Sequence, residues 1–169
     1  MCILTLVTIL LVPLGVAAVP APNRTAALRA IPHIHQPSRI RSVNSSVVTP
    51  LPCAPINPLP DEDETHTRFD EFAEAFLVEK NLTHAFEYIS SVYINHSPLS
   101  KEDGPDAALD VLATFWDTIQ ITPLRTKFEG NMSWLDYEAS GNGEIIDRFR
   151  WEAGCIVEHW DQGETFPDT

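Results

Sequence analysis

The apolar residues of this chain change their repeat partway along it, and that change sets the fold class. Phe69, Phe72, Ala73, Phe76 and Leu77 recur at helical spacing, which predicts an amphipathic helix over residues 65–80. Asp61, Glu62, Asp63 and Glu64 precede it, where negative charge suits a helix N-terminus. A shorter helix is expected from Leu82 to Ser90, burying Ala85, Phe86 and Ile89, and then a short strand from Tyr93 to His96. Pro105 suits the first turn of a third helix with Leu109, Leu112, Ala113, Trp116 and Ile119 on its apolar face. After Pro123 the period becomes two. Leu124–Glu129, Met132–Glu138, Glu144–Trp151 and Cys155–Asp161 read as strands, with turns at Gly130-Asn131, Ser140–Gly143 and Glu152-Ala153-Gly154. Helices followed by an antiparallel meander make an α+β domain, with three N-terminal helices on one face of a curved antiparallel sheet.

A second boundary falls near Asp61. Residues 19–60 hold four basic residues, no acidic ones and nine of the fourteen prolines. Residues 61–169 hold all 24 acids against seven basic residues, a balance of −17 within a chain of net −13. Without a basic surface the chain has nothing to neutralise a run of phosphates, so nucleic acid is not an expected partner. The stretch 19–60 shows no sustained period and is read as a Pro-rich flexible tail.

Met1 to Ala18 reads as a secretory signal: an apolar core from Ile3 to Val12, a break at Pro13-Leu14-Gly15, and Val16-Ala17-Ala18 as the cleavage site. No second apolar run follows, so no membrane association is expected once the signal is removed. Secretion gives meaning to the glycosylation sequons at Asn23, Asn44, Asn81 and Asn131, and to a weaker one at Asn95. It also leaves Cys53 and Cys155 as an even pair, which can form one disulfide tying tail to domain or stand as two thiols with one buried. His33 and His35 lack nearby partners, and no metal site is expected.

The last hairpin carries the candidate chemistry. If Trp151 pairs with Cys155 across a three-residue loop, Phe149 faces Val157, Asp147 faces His159 and Ile145 faces Asp161. Alternation then places Asp147, His159 and Asp161 at one end of an apolar floor of Phe149, Trp151 and Val157. Under the helices, three titratable groups in an apolar cavity could serve as general acids or bases, or fill a closed core as a structural Asp–His hydrogen bond. His96 would line the pocket mouth or anchor its loop.

Tyr93-Ile94-Asn95-His96-Ser97-Pro98 with Asp103-Gly104, and Ile146 to Asp161 (IDRFRWEAGCIVEHWD), resemble the "YIQHNP…DG" stretch and closing hairpin of SnoaL-like proteins. The resemblance spans roughly residues 66–163. It implies the cone-shaped α+β fold of the nuclear transport factor 2-like superfamily, often dimeric through its sheet. It also implies polyketide cyclase, isomerase, dehydratase or hydrolase chemistry on a small hydrophobic molecule, without metal or organic cofactor. In the cyclases an aspartate of the final strand is the acid/base, and Asp161 matches it. His159 matches a pocket histidine, whereas Asp147 stands where those cyclases carry a second histidine. Tyr93, Trp116, Phe149 and Trp151 are then expected to shape the pocket. A non-catalytic secreted binder or interaction protein using the same cavity is the alternative.

Overall fold

Asp61 starts the first helix. Its side chain accepts the Glu64 backbone N–H at 2.8 Å while the Glu64 carboxylate accepts the Asp61 N–H at 3.1 Å, a reciprocal cap. In the computed structural model, which describes residues 47–168, α1 therefore begins at Glu62, three residues ahead of the apolar pattern, and runs to Ala73. A π-helical turn, Glu74–Val78, extends it and buries Ala75, Phe76 and Leu77. Next come α2 (Leu82–Phe86), β1 (Ile89–Asn95), α3 (Pro105–Leu112), β2 (Ile121–Glu129), β3 (Met132–Ala139), β4 (Gly143–Glu152) and β5 (Cys155–Trp160). The second helix is shorter than expected, because Ile89 already belongs to the strand.

The fold is α+β, with one curved, open five-stranded sheet in the order β1-β5-β4-β3-β2. β2 to β5 form the expected antiparallel meander, but β1 runs parallel to β5, so the sheet is mixed rather than antiparallel throughout. The helices cover its inner face. Phe69, Phe72 and Trp151 form a buried aromatic cluster there, with ring centroids 6.3–6.4 Å from the Trp151 ring. The Trp151 Nε1–H donates to Ser133 Oγ at 2.8 Å, so the indole is both packed and satisfied.

The last hairpin departs from the expected register. Glu152 pairs with Cys155, leaving a two-residue turn in which Ala153 (φ 48°) and Gly154 (φ 76°) are both left-handed. A bulge then falls at Val157, so that Trp151 pairs with Ile156, Arg150 with Glu158, Phe149 with His159 and Arg148 with Trp160.

Residues 47–60, assigned to a flexible tail by composition, are fastened to the domain. Cys53 forms a disulfide with Cys155 and a parallel bridge with Ser90. Val48 and Thr83 exchange hydrogen bonds, and the Ile56 N–H donates to Ala153 O at 3.0 Å. The segment thereby covers the β1 edge of the sheet, whose unpaired backbone groups supply its partners. The expected signal sequence, Asn23, Asn44, His33 and His35 lie outside the described residues. Asn81 and Asn131 are exposed, the first capping α2 and the second in the β2–β3 turn. Among the described residues no helix is long and apolar enough to cross a membrane.

At the C-terminus, the residues after β5 fold back onto the domain. Glu164 pairs with Arg148 at 2.9 Å, and the Arg125 guanidinium sits 4.1 Å from the Phe166 ring centre.

Candidate functional site

Between the helices and the inner face of the sheet lies a cavity of about 560 Å³, within the size range of small-molecule sites. Its walls are aromatic: Phe72 and Phe76 from the helical layer, Tyr93 from β1, Trp116 after α3, Tyr137 from β3 and Phe149 from β4. Phe76 and Trp116 stack with centroids 4.3 Å apart.

Asp147, His159 and Asp161 all line this cavity, and the structure brings them together at one end. Asp147 lies two residues before Phe149, hence on the same face of β4, and β5 sets His159 opposite Phe149. The two rings stack at 4.8 Å. The pairing of Arg148 with Trp160 puts Asp161 at the height of Asp147, so the shifted register leaves all three groups clustered.

Their hydrogen bonds form a chain. The Tyr137 hydroxyl donates to Asp147 Oδ2 at 2.9 Å, Asp147 Oδ1 lies 3.0 Å from His159 Nε2, and His159 Nδ1 lies 3.0 Å from Asn95 Oδ1. Asn95 Oδ1 also accepts the Ser97 N–H at 3.1 Å, which turns the amide oxygen toward the ring and makes Nδ1 a donor. The ring is thus held at both nitrogens, Nδ1 by Asn95 and Nε2 by Asp147.

Burial is the main cause that lifts the Tyr137 phenol well above its ordinary range, with the neighbouring Asp147 and Asp161 charges adding to it. Tyr137 therefore stays a hydroxyl donor at neutral pH. Tyr93, buried beside the same carboxylates, is raised in the same way.

Asp161 differs from its neighbours. Its Oδ1 is buried and has no hydrogen-bond partner among the described residues, whereas both oxygens of Asp147 and both ring nitrogens of His159 are engaged. The three side chains each present a ligand atom within 4.8 Å of one another, and a divalent cation taking that set would have to break the Asp147–His159 hydrogen bond.

Of the other residues expected in the pocket, Tyr93, Trp116 and Phe149 line it. Trp151, His96 and Val157 do not. Trp151 belongs to the closed aromatic cluster beyond Phe149. His96 is on the outer face, 2.8 Å from the Glu158 carboxylate and stacked 5.0 Å from Trp160, so it anchors its loop. Val157 is the extra residue of the bulge and is buried away from the cavity.

No protein-family model and no curated protein matches the sequence. Solved structures do. They include a SnoaL-like protein of unknown function from Burkholderia thailandensis (10% identity, 61% of this chain and 97% of that one, TM-score 0.49). An NTF2-like protein of unknown function from Cytophaga hutchinsonii matches at 19% identity over 57% of this chain and 87% of that one, TM-score 0.47. IdmH of Streptomyces antibioticus, a proposed polyketide cyclase, matches at 18% identity over 57% of this chain and 89% of that one, TM-score 0.45. The chain is similar to SnoaL-like and NTF2-like proteins.

Asn95 and Tyr137 are the site residues the sequence pattern did not single out. Asn95 is two residues beyond Tyr93 on β1, so once Tyr93 is placed in a pocket the strand repeat carries Asn95 there too. Tyr137 has no comparable local signal, since its partner Asp147 belongs to the next strand.

Proposed function

We propose that this chain is a secreted SnoaL-like domain protein that acts as an acid/base catalyst of the cyclase, isomerase or hydrolase type, without metal or organic cofactor, on a small apolar molecule. One observation carries the reading: a hydrogen-bonded Asp147–His159 pair and an Asp161 carboxylate whose buried oxygen has no partner among the described residues meet at the polar end of an aromatic cavity of about 560 Å³. Asp161 is the group free to take or return a substrate proton, because no donor among the described residues competes for its buried oxygen. The hydrogen-bonded Asp147–His159 pair stands beside it, and Tyr137 and Asn95 fix its orientation from either end. The aromatic walls exclude water and give an apolar body its contact area. The signal-like N-terminus, the exposed sequons at Asn81 and Asn131 and the Cys53–Cys155 disulfide support secretion.

The test is turnover by Asp161→Asn across a panel of cyclisable and isomerisable carbonyl compounds. The expected loss is about 100-fold or more with the thermal transition unchanged within a few degrees, the range for removing a general acid or base. Undiminished turnover in that variant removes Asp161 from the role.

A binding protein without turnover is favoured by one feature, the complete internal satisfaction of Asp147 and His159. On that reading a ligand is released chemically unchanged, and its binding survives Asp161→Asn but not filling of the cavity.

A further inference from the structure

The lining of the cavity contains four carboxylates, one imidazole, and neither lysine nor arginine. Two of those carboxylates are compensated by the protein itself. Asp147 accepts from the Tyr137 hydroxyl and lies 3.0 Å from His159 Nε2, and Glu164 is paired with Arg148 at 2.9 Å. Glu144 is exposed at the mouth, where water screens it. Asp161 is left, among the described residues, as the one inner carboxylate of the lining with no partner for a buried oxygen. A carboxylate oxygen removed from water and given no donor is costly, and the group that best relieves it is a cation with several N–H donors. The aromatic walls around it, with Phe76, Tyr93, Trp116 and Phe149 among them, suit the apolar body of such a ligand and hold no cation that would repel its charge. The surrounding domain, with its excess of acids, adds a field of the same sign.

We propose that the cavity ligand is an organic amine on an apolar, aromatic-sized body, bound as its ammonium against Asp161. This rests on the reading of the cavity as the substrate site, and narrows it to a class. The arrangement also rejects the opposite class: a carboxylate or phosphate ligand would meet Asp161 with no cation among the lining residues to offset the repulsion.

Three probes of one shape separate the possibilities: biphenyl-4-ylmethylamine, biphenyl-4-ylmethanol and biphenyl-4-carboxylate, titrated calorimetrically into the full chain at neutral pH. The amine is expected to bind about tenfold or more tighter than the alcohol, and the carboxylate to bind more weakly than either. In Asp161→Asn the amine should fall to about the level of the alcohol, while the alcohol itself is unchanged. Its unchanged binding also shows that the variant is folded. Equal binding of amine and alcohol, or tightest binding of the carboxylate, overturns the amine assignment and leaves the cavity reading in place. Binding of none of the three overturns both.

Discussion

At the scale of single residues, the protein holds all three of its tyrosines in their neutral form. Burial lifts Tyr93 and Tyr137 well above the ordinary phenol value, and burial with the Glu71 hydrogen bond pushes Tyr88 to about 12. A group whose pKa is raised on folding contributes stability that is complete below the unfolded value and is lost as pH rises toward the folded one. The protein is therefore expected to keep its full stability up to about pH 10, the unperturbed phenol value, and to lose it above that. Absorbance at 295 nm checks this directly: no tyrosinate should appear near pH 10, and its rise should coincide with the loss of circular dichroism. One third of the signal appearing near pH 10 in the folded protein would place one tyrosine in solvent. Glu158 behaves oppositely. Its hydrogen bond with His96 first, and then Arg150, holds the carboxyl below its usual range. Its contribution is therefore present above the ordinary glutamate value and fades as pH falls through the lowered one. Replacing it with Gln should lower the melting temperature near neutral pH, with the gap from the parent closing in acid.

Among the elements, the β4–β5 hairpin decides the most. Gly154 has φ +76°, and a Cβ there would lie 2.6 Å from Ile56 Cδ1 and 3.3 Å from Arg68 Nε. Gly154→Ala therefore combines left-handed strain of about 1–2 kcal/mol with displacement of the segment before α1. Gly141, at φ +88° with nothing within 4 Å, supplies the comparison. Urea denaturation should show a larger loss for Gly154→Ala than for Gly141→Ala, and equal losses would mean that Ile56 does not pack on the hairpin. This turn also shows where legibility in the sequence ended. The strand repeat correctly grouped Asp147, Phe149 and His159, because period two survives any even shift of register. The register itself was misread, since Ala153 adopts φ +48°, a conformation its side chain disfavours and nothing local advertises. Ile89 was misread for a related reason. Ala85, Phe86 and Ile89 fit a helical stripe, and only the distant pairing of Ile89 with Ile156 on β5 draws it into a strand. The helix-then-strand order, by contrast, is written in short repeats along the chain, and it held.

Across the domain, the long-range link from Cys53 to Cys155 spans 102 residues. Closing a loop of that length should contribute about 2–5 kcal/mol by restricting the unfolded chain. A Cys53→Ala variant is expected to melt at a lower temperature and to become sensitive to protease between residues 47 and 60, with β1 to β5 intact. Resistance equal to that of the parent would show that the hydrogen bonds of Val48 and Ile56 hold the segment unaided. The direct neighbours β1 and β5 are also the first and the last strands among the described residues, and Asn95 and His159 come one from each. The polar end of the cavity is thus finished last during synthesis. Until residue 155 has emerged, a nascent polypeptide carries an unpaired Cys53 thiol, an uncovered β1 edge and an aromatic helix face with no sheet strand β5 beside it. An interrupted copy would thus carry, in one place, an exposed thiol and an apolar surface that the finished domain hides.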